Sequence, residues 1–440
     1  MKAITLSVLF LIATFPVMAQ ELWTLERCLE TGSANNLNFQ LRQLEILSAQ
    51  TTARSAVMGF LPTVSASATH SYSIGSTIDP ATNNRVSSTI QSDNFSLNAN
   101  MDIVNFNNFT EARRNKIAVL KATADKAATE AEYSLSILEN YFTVLYTQEL
   151  LKIQQNQFEN AKYNLVRLKK EAELGSRPPS DLYDMQVGYA QEENSIIETA
   201  QLLYNQKLAL LQLMNVTNVL PDDMVLEHLN TEEAMNKPVS DTYENALKSY
   251  PKIRSAELNE AVAAKNVIIQ KNGYLPVISA FYSYSSFYYL PINQPGDVSV
   301  NPFWKQLADN KNHYVGLQLS VPLFNGLRTH RDVQLAKIER QKSTVIVEQE
   351  KIALRQAIEQ ETAKQQQNLV LVSKLEETRK LARKSFETTQ AKFTNGIVEA
   401  IVFTSSKNQL LTTEYNLLKA KFTVQYLSLK LHFLETNRFQ

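Results

Sequence analysis

The sequence predicts an α+β chain built as two copies of one unit, each joining a β-hairpin to very long helices. Three observations carry that prediction. An octapeptide recurs, helix-breaking residues vanish from two long stretches, and four segments alternate strictly between apolar and polar side chains.

The repeat is read first. Gly59-Phe60-Leu61-Pro62-Thr63-Val64-Ser65-Ala66 returns as Gly273-Tyr274-Leu275-Pro276-Val277-Ile278-Ser279-Ala280. An alanine-rich helical pattern precedes each copy, over Leu37 to Met58 and Ile253 to Lys271. Each is followed by two strand-like segments, a long helical segment, a glycine turn (Gly175, then Gly396) and another helix. The order repeats as a whole, so the duplication is architectural. The expected division is a secretory signal peptide over 1–19, a first repeat over 20–215, a linker over 216–241 and a second repeat over 242–440.

Within the strands one face is apolar. Val64, Ala66, Ala68, Tyr72 and Ile74 share a parity against Thr63, Ser65, Ser67, Thr69, Ser71 and Ser73. Phe95, Leu97, Ala99, Met101 and Ile103 likewise oppose Ser96, Asn98, Asn100 and Asp102. In the second copy Ile278, Ala280, Tyr282, Tyr284 and Tyr288 form one face, and Val315, Leu317, Leu319, Val321 and Leu323 make a fourth strand. Two-residue periodicity over about ten residues is the signature of a transmembrane barrel. The other reading is a soluble sheet packed on one side, but export and the tyrosine-rich third strand, with Tyr282 and Tyr284, suit a membrane interface. Tyr72, Leu97, Tyr282, Tyr284 and Leu319 are expected to face the membrane. Four strands cannot close a barrel, and an open edge in hydrocarbon leaves backbone groups unpaired. Several chains must then share one barrel. The polar stretches Gly75 to Asn94 and Pro291 to His313 are expected to be external loops.

The long helices are expected over Asn108 to Leu174 and Arg328 to Asn395. No glycine lies between Gly75 and Gly175 or between Gly326 and Gly396, and no proline follows Pro322. Some 65 helical residues span about 100 Å. Ile137, Val144, Leu151, Phe158, Leu165 and Ala172 recur every seventh position, a coiled-coil seam that lets so long a helix exist. The polar run Glu359 to Gln367 suits water on the other side.

Each long helix ends in a turn. In Glu173-Leu174-Gly175-Ser176-Arg177-Pro178-Pro179-Ser180-Asp181, Gly175 suits a C-terminal cap and Ser180 or Asp181 an N-terminal cap. Asp181 and Asp184, three apart, share a helix face. In an oligomer their carboxylates would form rings attractive to cations; the other reading is ordinary capping. The second turn, Asn395-Gly396-Ile397-Val398-Glu399-Ala400, is apolar where the first is acidic.

Composition excludes several classes. Basic and acidic residues number 44 each, which argues against a nucleic-acid partner. Lys2, the apolar run Ile4 to Phe15 and Val17-Met18-Ala19 before Gln20 read as a cleaved export signal. The lone Cys28 rules out an intramolecular disulfide and is expected to be a buried thiol. His70, His228, His313, His330 and His432 show no metal-ligand spacing, and there is neither a phosphate loop nor a nucleophile motif. Neither enzyme chemistry nor a cofactor is expected. His70, on the apolar strand face, reads as an interface residue.

The ordered combination resembles the TolC-like outer-membrane efflux family over essentially the full mature length. It rests on the doubled strand starts Leu61-Pro62 and Leu275-Pro276, and on the strand-to-helix junction Val321-Pro322-Leu323-Phe324-Asn325-Gly326. The paired turns at Gly175 and Gly396 complete it. The resemblance implies a homotrimer whose four strands per chain make a twelve-stranded barrel in the outer-membrane lipid. It also implies a helical tunnel across the periplasm, whose tip meets a periplasmic adaptor protein of a tripartite pump or secretion system served by an inner-membrane transporter. The family's tip motif of glycine, basic residue and aspartate matches Gly175, Arg177 and Asp181. Links from these residues would close the entrance, and Asp181 with Asp184 would line the constriction. Gly396 and Glu399 belong to the second turn. Val402 stands where the first copy has Asp181, and the first junction, Asp102-Ile103-Val104-Asn105-Phe106, lacks the glycine. The rival expectation is a periplasmic or surface coiled-coil structural protein with no channel.

Overall fold

The computed structural model describes residues 21–56, 58–78, 83, 85–229, 238–292 and 300–439. The expected signal peptide lies outside these residues. In chain order the elements are β1 (Glu21–Trp23), α1 (Leu25–Asn35), α2 (Leu37–Ser55), β2 (Thr63–Ile78), β3 (Arg85–Val104), α3 (Phe106–Glu173), α4 (Pro179–Leu213), β4 (Met224–Leu226), α5 (Val239–Ser249), α6 (Pro251–Asn272), β5 (Val277–Ile292), α7 (Phe303–Asp309), β6 (Asn312–Ser320), α8 (Arg328–Thr394) and α9 (Ala400–Thr436). They fall into two compact units. One holds Leu41–Ala127 and Pro251–Ile352, the other the remaining described residues.

The unit containing the sheet orders its four strands β2-β3-β5-β6, all neighbours antiparallel. Each copy supplies a hairpin, and β3 beside β5 joins the copies. Register places Val64 opposite Ala99, Ala99 opposite Tyr282 and Tyr282 opposite Val315, so the apolar parities of all four strands share one face. That face is open in the chain, with Val315 76 % and Leu317 71 % exposed. The opposite face is tied by side-chain hydrogen bonds. Ser67 and Ser96 hydroxyls lie 2.7 Å apart, Ser283 donates to Asn98 at 2.7 Å and Ser279 to Asp102 at 2.8 Å. On that same polar face Phe281 lies over Gly316, where an added Cβ would come within 2.7 Å of the ring.

Three expectations need correction here. The stretch Gly75 to Asn94 is mostly strand: β2 continues to Ile78 and β3 begins at Arg85. Apolar residues are sparse there and Ile90, 3 % exposed, has the parity of Ser96 and not of Phe95, so the alternation that marks a half-apolar strand breaks while backbone pairing continues. The stretch Pro291 to His313 carries the end of β5, helix α7 and the start of β6. The fourth strand stops at Ser320, leaving out Val321 and Leu323, because Pro322 has no N–H for the ladder.

The strand-to-helix junctions differ between copies. At the first, a register shift between Asp102 and Val104 ends the strand, and Asn105 Oδ1 accepts from the Asn107 N–H at 3.0 Å to start α3. At the second, Gly326 and Leu327 both take positive φ, +65° and +61°, turning the chain into α8. An asparagine cap thus does in one copy what a glycine turn does in the other.

The helical unit has its own core. Ile137 and Val144 of the predicted seam are 0 % and 1 % exposed, packed with Leu138, Tyr141, Leu210, Leu211 and Met214. Toward the turn the seam is only half-buried at Leu165, and Leu168 is the residue sealed from water, because Phe393 and Phe403 of the other hairpin pack there. A small parallel ladder, β1 with β4, went unpredicted because three residues are too short for a periodicity. The Tyr141 hydroxyl secures it, its single proton shared between the carbonyls of Glu227 at 2.7 Å and Trp23 at 3.1 Å. Cys28 is fully buried, and that burial, only weakly opposed by Arg27, pushes its thiol up to about 12. It is chemically quiet.

Helices α8 and α9 are held by charge as well as packing. Lys430 donates to Glu361 at 2.8 Å, and Lys364 approaches its other oxygen at 3.3 Å. Burial alone would raise the Glu361 pKa, but the bonds and charges of Lys430 and Lys364 outweigh it and hold the carboxyl below its usual range. A carboxylate depressed on folding contributes stability above its unfolded pKa, which is lost as pH falls through the folded value. The helical unit is therefore expected to lose stability below about pH 4.5, and Glu361→Gln to flatten that acid limb in a thermal-unfolding series. An unchanged limb would refute the assignment.

Candidate functional site

The two turns that close the helical hairpins lie together. Gly175 and Gly396 adopt left-handed φ of +71° and +72°, which only glycine takes without cost. Both build the same cap. Gly175 N–H donates to Ala172 O and Ser176 N–H to Glu171 O, while Gly396 N–H donates to Phe393 O and Ile397 N–H to Lys392 O. The duplication holds here down to individual hydrogen bonds.

Arg177 links the turns. Its side chain is 7 % exposed and its guanidinium lies 4.6 Å from the Phe393 ring centre. It donates to the Phe393 carbonyl, to the Val398 carbonyl at 3.4 Å and to Asp181 Oδ2 at 3.4 Å, and it approaches Glu171 at 3.5 Å. Asp181 then accepts from the Ala400 N–H at 3.2 Å through Oδ1. Ala400 opens α9, whose own N-cap, Glu399, makes no side-chain cap bond. The Asp181 carboxylate therefore satisfies an orphan donor at the start of the other hairpin's helix, where the helix dipole also favours it.

This corrects the capping expectation. Neither Ser180 nor Asp181 caps α4; Pro178 stands at that N-cap without a side-chain bond, and Pro179 begins the helix. The fixed φ of proline organises the first turn by itself, which frees Asp181 to reach across. Asp181 is 3 % exposed, whereas Asp184, one turn on, is half-buried. The shared helix face thus splits into a sealed carboxylate and a partly accessible one. Beneath the turns Leu168, Met185, Phe393, Ala400 and Phe403 form a sealed cluster, with Phe393 and Phe403 stacked at 4.7 Å. Val402, the second-copy counterpart of Asp181, is 47 % exposed and outside the network.

The reading of residues alone missed Phe393 and the carbonyls of Phe393 and Val398, because a backbone acceptor leaves no mark in a sequence. It also missed Lys407, whose ammonium donates to Glu192 at 2.7 Å between α9 and α4. Elsewhere, Pro62 and Pro276 immediately precede β2 and β5, and Pro322 and Gly326 lie between β6 and α8. Tyr72, Leu97, Tyr282, Tyr284 and Leu319 stand on the apolar face of the sheet. Among the described residues no His, Cys, Asp and Glu group could hold a metal, and no helix is long and apolar enough to cross a membrane.

A sequence profile of the outer membrane efflux protein family matches residues 30–216 and 242–433. The chain belongs to that family. A comparison with curated proteins finds no significant relative. Among solved structures, CusC is 17 % identical with a TM-score of 0.80, over 93 % of this chain and 91 % of that one. VceC of Vibrio cholerae is 16 % identical with a TM-score of 0.78, over 94 % and 97 %. CmeC of Campylobacter jejuni is 15 % identical with a TM-score of 0.75, over 94 % and 86 %. The TolC-like resemblance is thereby shown, and the fold of this efflux protein is the α+β, internally duplicated fold of trimeric outer-membrane channels.

Proposed function

We propose that this efflux protein is the exit duct of a tripartite efflux or type I secretion system, a passive conduit that docks on a periplasmic adaptor. The observation that carries the reading is the four-stranded sheet, apolar and exposed on one face, with β2 and β6 open at its edges. Such a sheet is stable in a membrane only if copies complete a barrel. Three chains would contribute twelve strands, enclosing the face lined by Ser67, Ser96 and Asn98. No catalytic step or cofactor is assigned to it; an inner-membrane transporter would supply the energy. The rival reading, a coiled-coil structural protein, leaves the exposed apolar strand face unexplained.

The paired turns are the proposed gate. Arg177 and Asp181 hold the first turn to the second within a chain, and opening would be a helix rearrangement biased by adaptor contacts. Gly175, Gly396 and Glu399 shape that end, and Asp184 would offer its partly accessible carboxylate to passing cations. Asp184→Asn is expected to lower cation selectivity while leaving assembly intact, read as reversal potential across a salt gradient in planar bilayers. An unshifted potential would remove Asp184 from the pathway. The function itself is tested by detergent extraction, a heat-modifiable trimer and bilayer conductance. Quantitative recovery in the soluble periplasmic fraction would overturn it.

A further inference from the structure

Helix α7 lies against the apolar face of the sheet, at the end remote from the strand-to-helix junctions. Among the described residues β5 pairs with β6 over Val277–Ser285. Beyond Ser285, helix α7 bonds to β5. Gln306 accepts from the Tyr289 N–H at 3.1 Å and donates to the Tyr289 carbonyl at 3.0 Å, so its amide stands in for a strand residue. Asn310 donates to Phe287 O at 2.8 Å and Ser286 to Leu307 O at 2.7 Å. A seven-residue helix is thereby fixed in place.

Its aromatic pair points two ways. Phe303 packs against Phe95 and Tyr288 of the apolar face, with ring centres 6.1 Å and 5.0 Å away. Trp304 rests on Phe303 at 5.2 Å and is otherwise 79 % exposed, beside the exposed Lys305. From Ile278 to Tyr288 the strand runs about ten residues, which at the usual tilt gives about 25 Å of height, the height of a barrel's apolar band. Asp93, opposite Tyr288, is the first carboxylate met on that face along β3 from the junction end. From that row outward the face is mixed, with Asp93, Gln91 and Thr89 on β3 beside Leu290 and Ile292 on β5. The helix thus lies where the apolar band gives way to polar surface, and there indole rings and lysines favour the headgroup layer.

We propose that α7 is an interfacial anchor that seats Trp304 in the headgroup layer of the outer leaflet. This rests on the membrane reading of the sheet and adds a depth stop to it. Burying the indole there stabilises one height of the barrel against vertical slippage, and Lys305 meets the anionic phosphates of that layer.

Trp23 and Trp304 are the chain's two tryptophans, and Trp23 is 2 % exposed in the helical core, beyond the reach of contact quenchers. The experiment reconstitutes the full chain in phosphatidylcholine bilayers brominated at shallow or deep acyl positions. Shallow bromines are expected to quench more emission than deep ones, and Trp304→Phe to remove the lipid-dependent loss. A control carries Leu97→Trp in the Trp304→Phe background, placing an indole on the apolar face. Deep bromines should quench it. If the control is quenched while Trp304 is untouched by lipid, or is quenched most by deep bromines, the anchor is overturned and the membrane reading stands. If neither indole is quenched, the membrane reading itself fails.

Discussion

Leu317→Arg is expected to prevent stable assembly in the outer membrane, whereas Gln318→Arg, one residue along the same strand, is expected to assemble. Leu317 stands on the apolar face beside Ala280 and is 71 % exposed in the chain, so no protein neighbour within the chain could shelter a charge there. A lipid-facing arginine costs about 2–4 kcal/mol at the bilayer midplane and about 0–1 kcal/mol near the interfaces, and Leu317, paired with Ala280, lies between the two. In a trimer the cost recurs in every chain, enough to compete with the whole stability of a typical domain. Gln318 is opposite Ser279 on the hydrogen-bonded polar face, where water would solvate the guanidinium. Heat-modifiable trimer on semi-native gels reads both variants. Equal trimer yields would mean that the apolar face does not meet lipid, and the barrel reading would fall with it.

Arg177→Ala is expected to separate the paired turns and give a channel with raised basal conductance. The substitution removes three tethers to the second turn: the bonds to the carbonyls of Phe393 and Val398, and the guanidinium packed on the Phe393 ring. It also leaves the Asp181 carboxylate, 4 % exposed, without its counter-charge. Removing one partner of a buried ion pair costs about 3–5 kcal/mol. The fold can avoid that cost by letting the turns part and water enter, so the loss should be local. Arg177→Lys keeps the charge but not the fork that reaches two carbonyls and a carboxylate, and should recover only part of the closure. Protease nicking between Gly175 and Pro179, followed beside single-channel conductance, distinguishes local opening from general unfolding. A variant with unaltered conductance and unaltered nicking would show that Arg177 does not hold this end shut.

The helices were the most legible part. Glycine and proline are missing from the two long stretches, and α3 and α8 fill them to within two residues of the expected ends. The strands were legible only where one face is apolar. Over residues 85–94 Ser, Thr, Asn and Gln dominate and Ile90 falls on the parity opposite to Phe95, so period-two alternation carries no strand signal there. Of the candidate gate, the glycine turns and the Gly175, Arg177, Asp181 constellation could be read from residues. Their partners could not: Asp181 looked like a cap for its own helix and instead caps α9.

The sequence by itself determined the repeated order of elements, the helix lengths and the apolar strand face, because all three depend on local periodicity and on where glycine and proline fall. Only the tertiary structure decided which carboxylate is buried, which backbone carbonyls receive Arg177, and that α7 bonds to β5 beyond Ser285. Those are contacts between segments far apart in the chain, made largely to backbone atoms, which are chemically alike at every residue and so leave no trace in its letters.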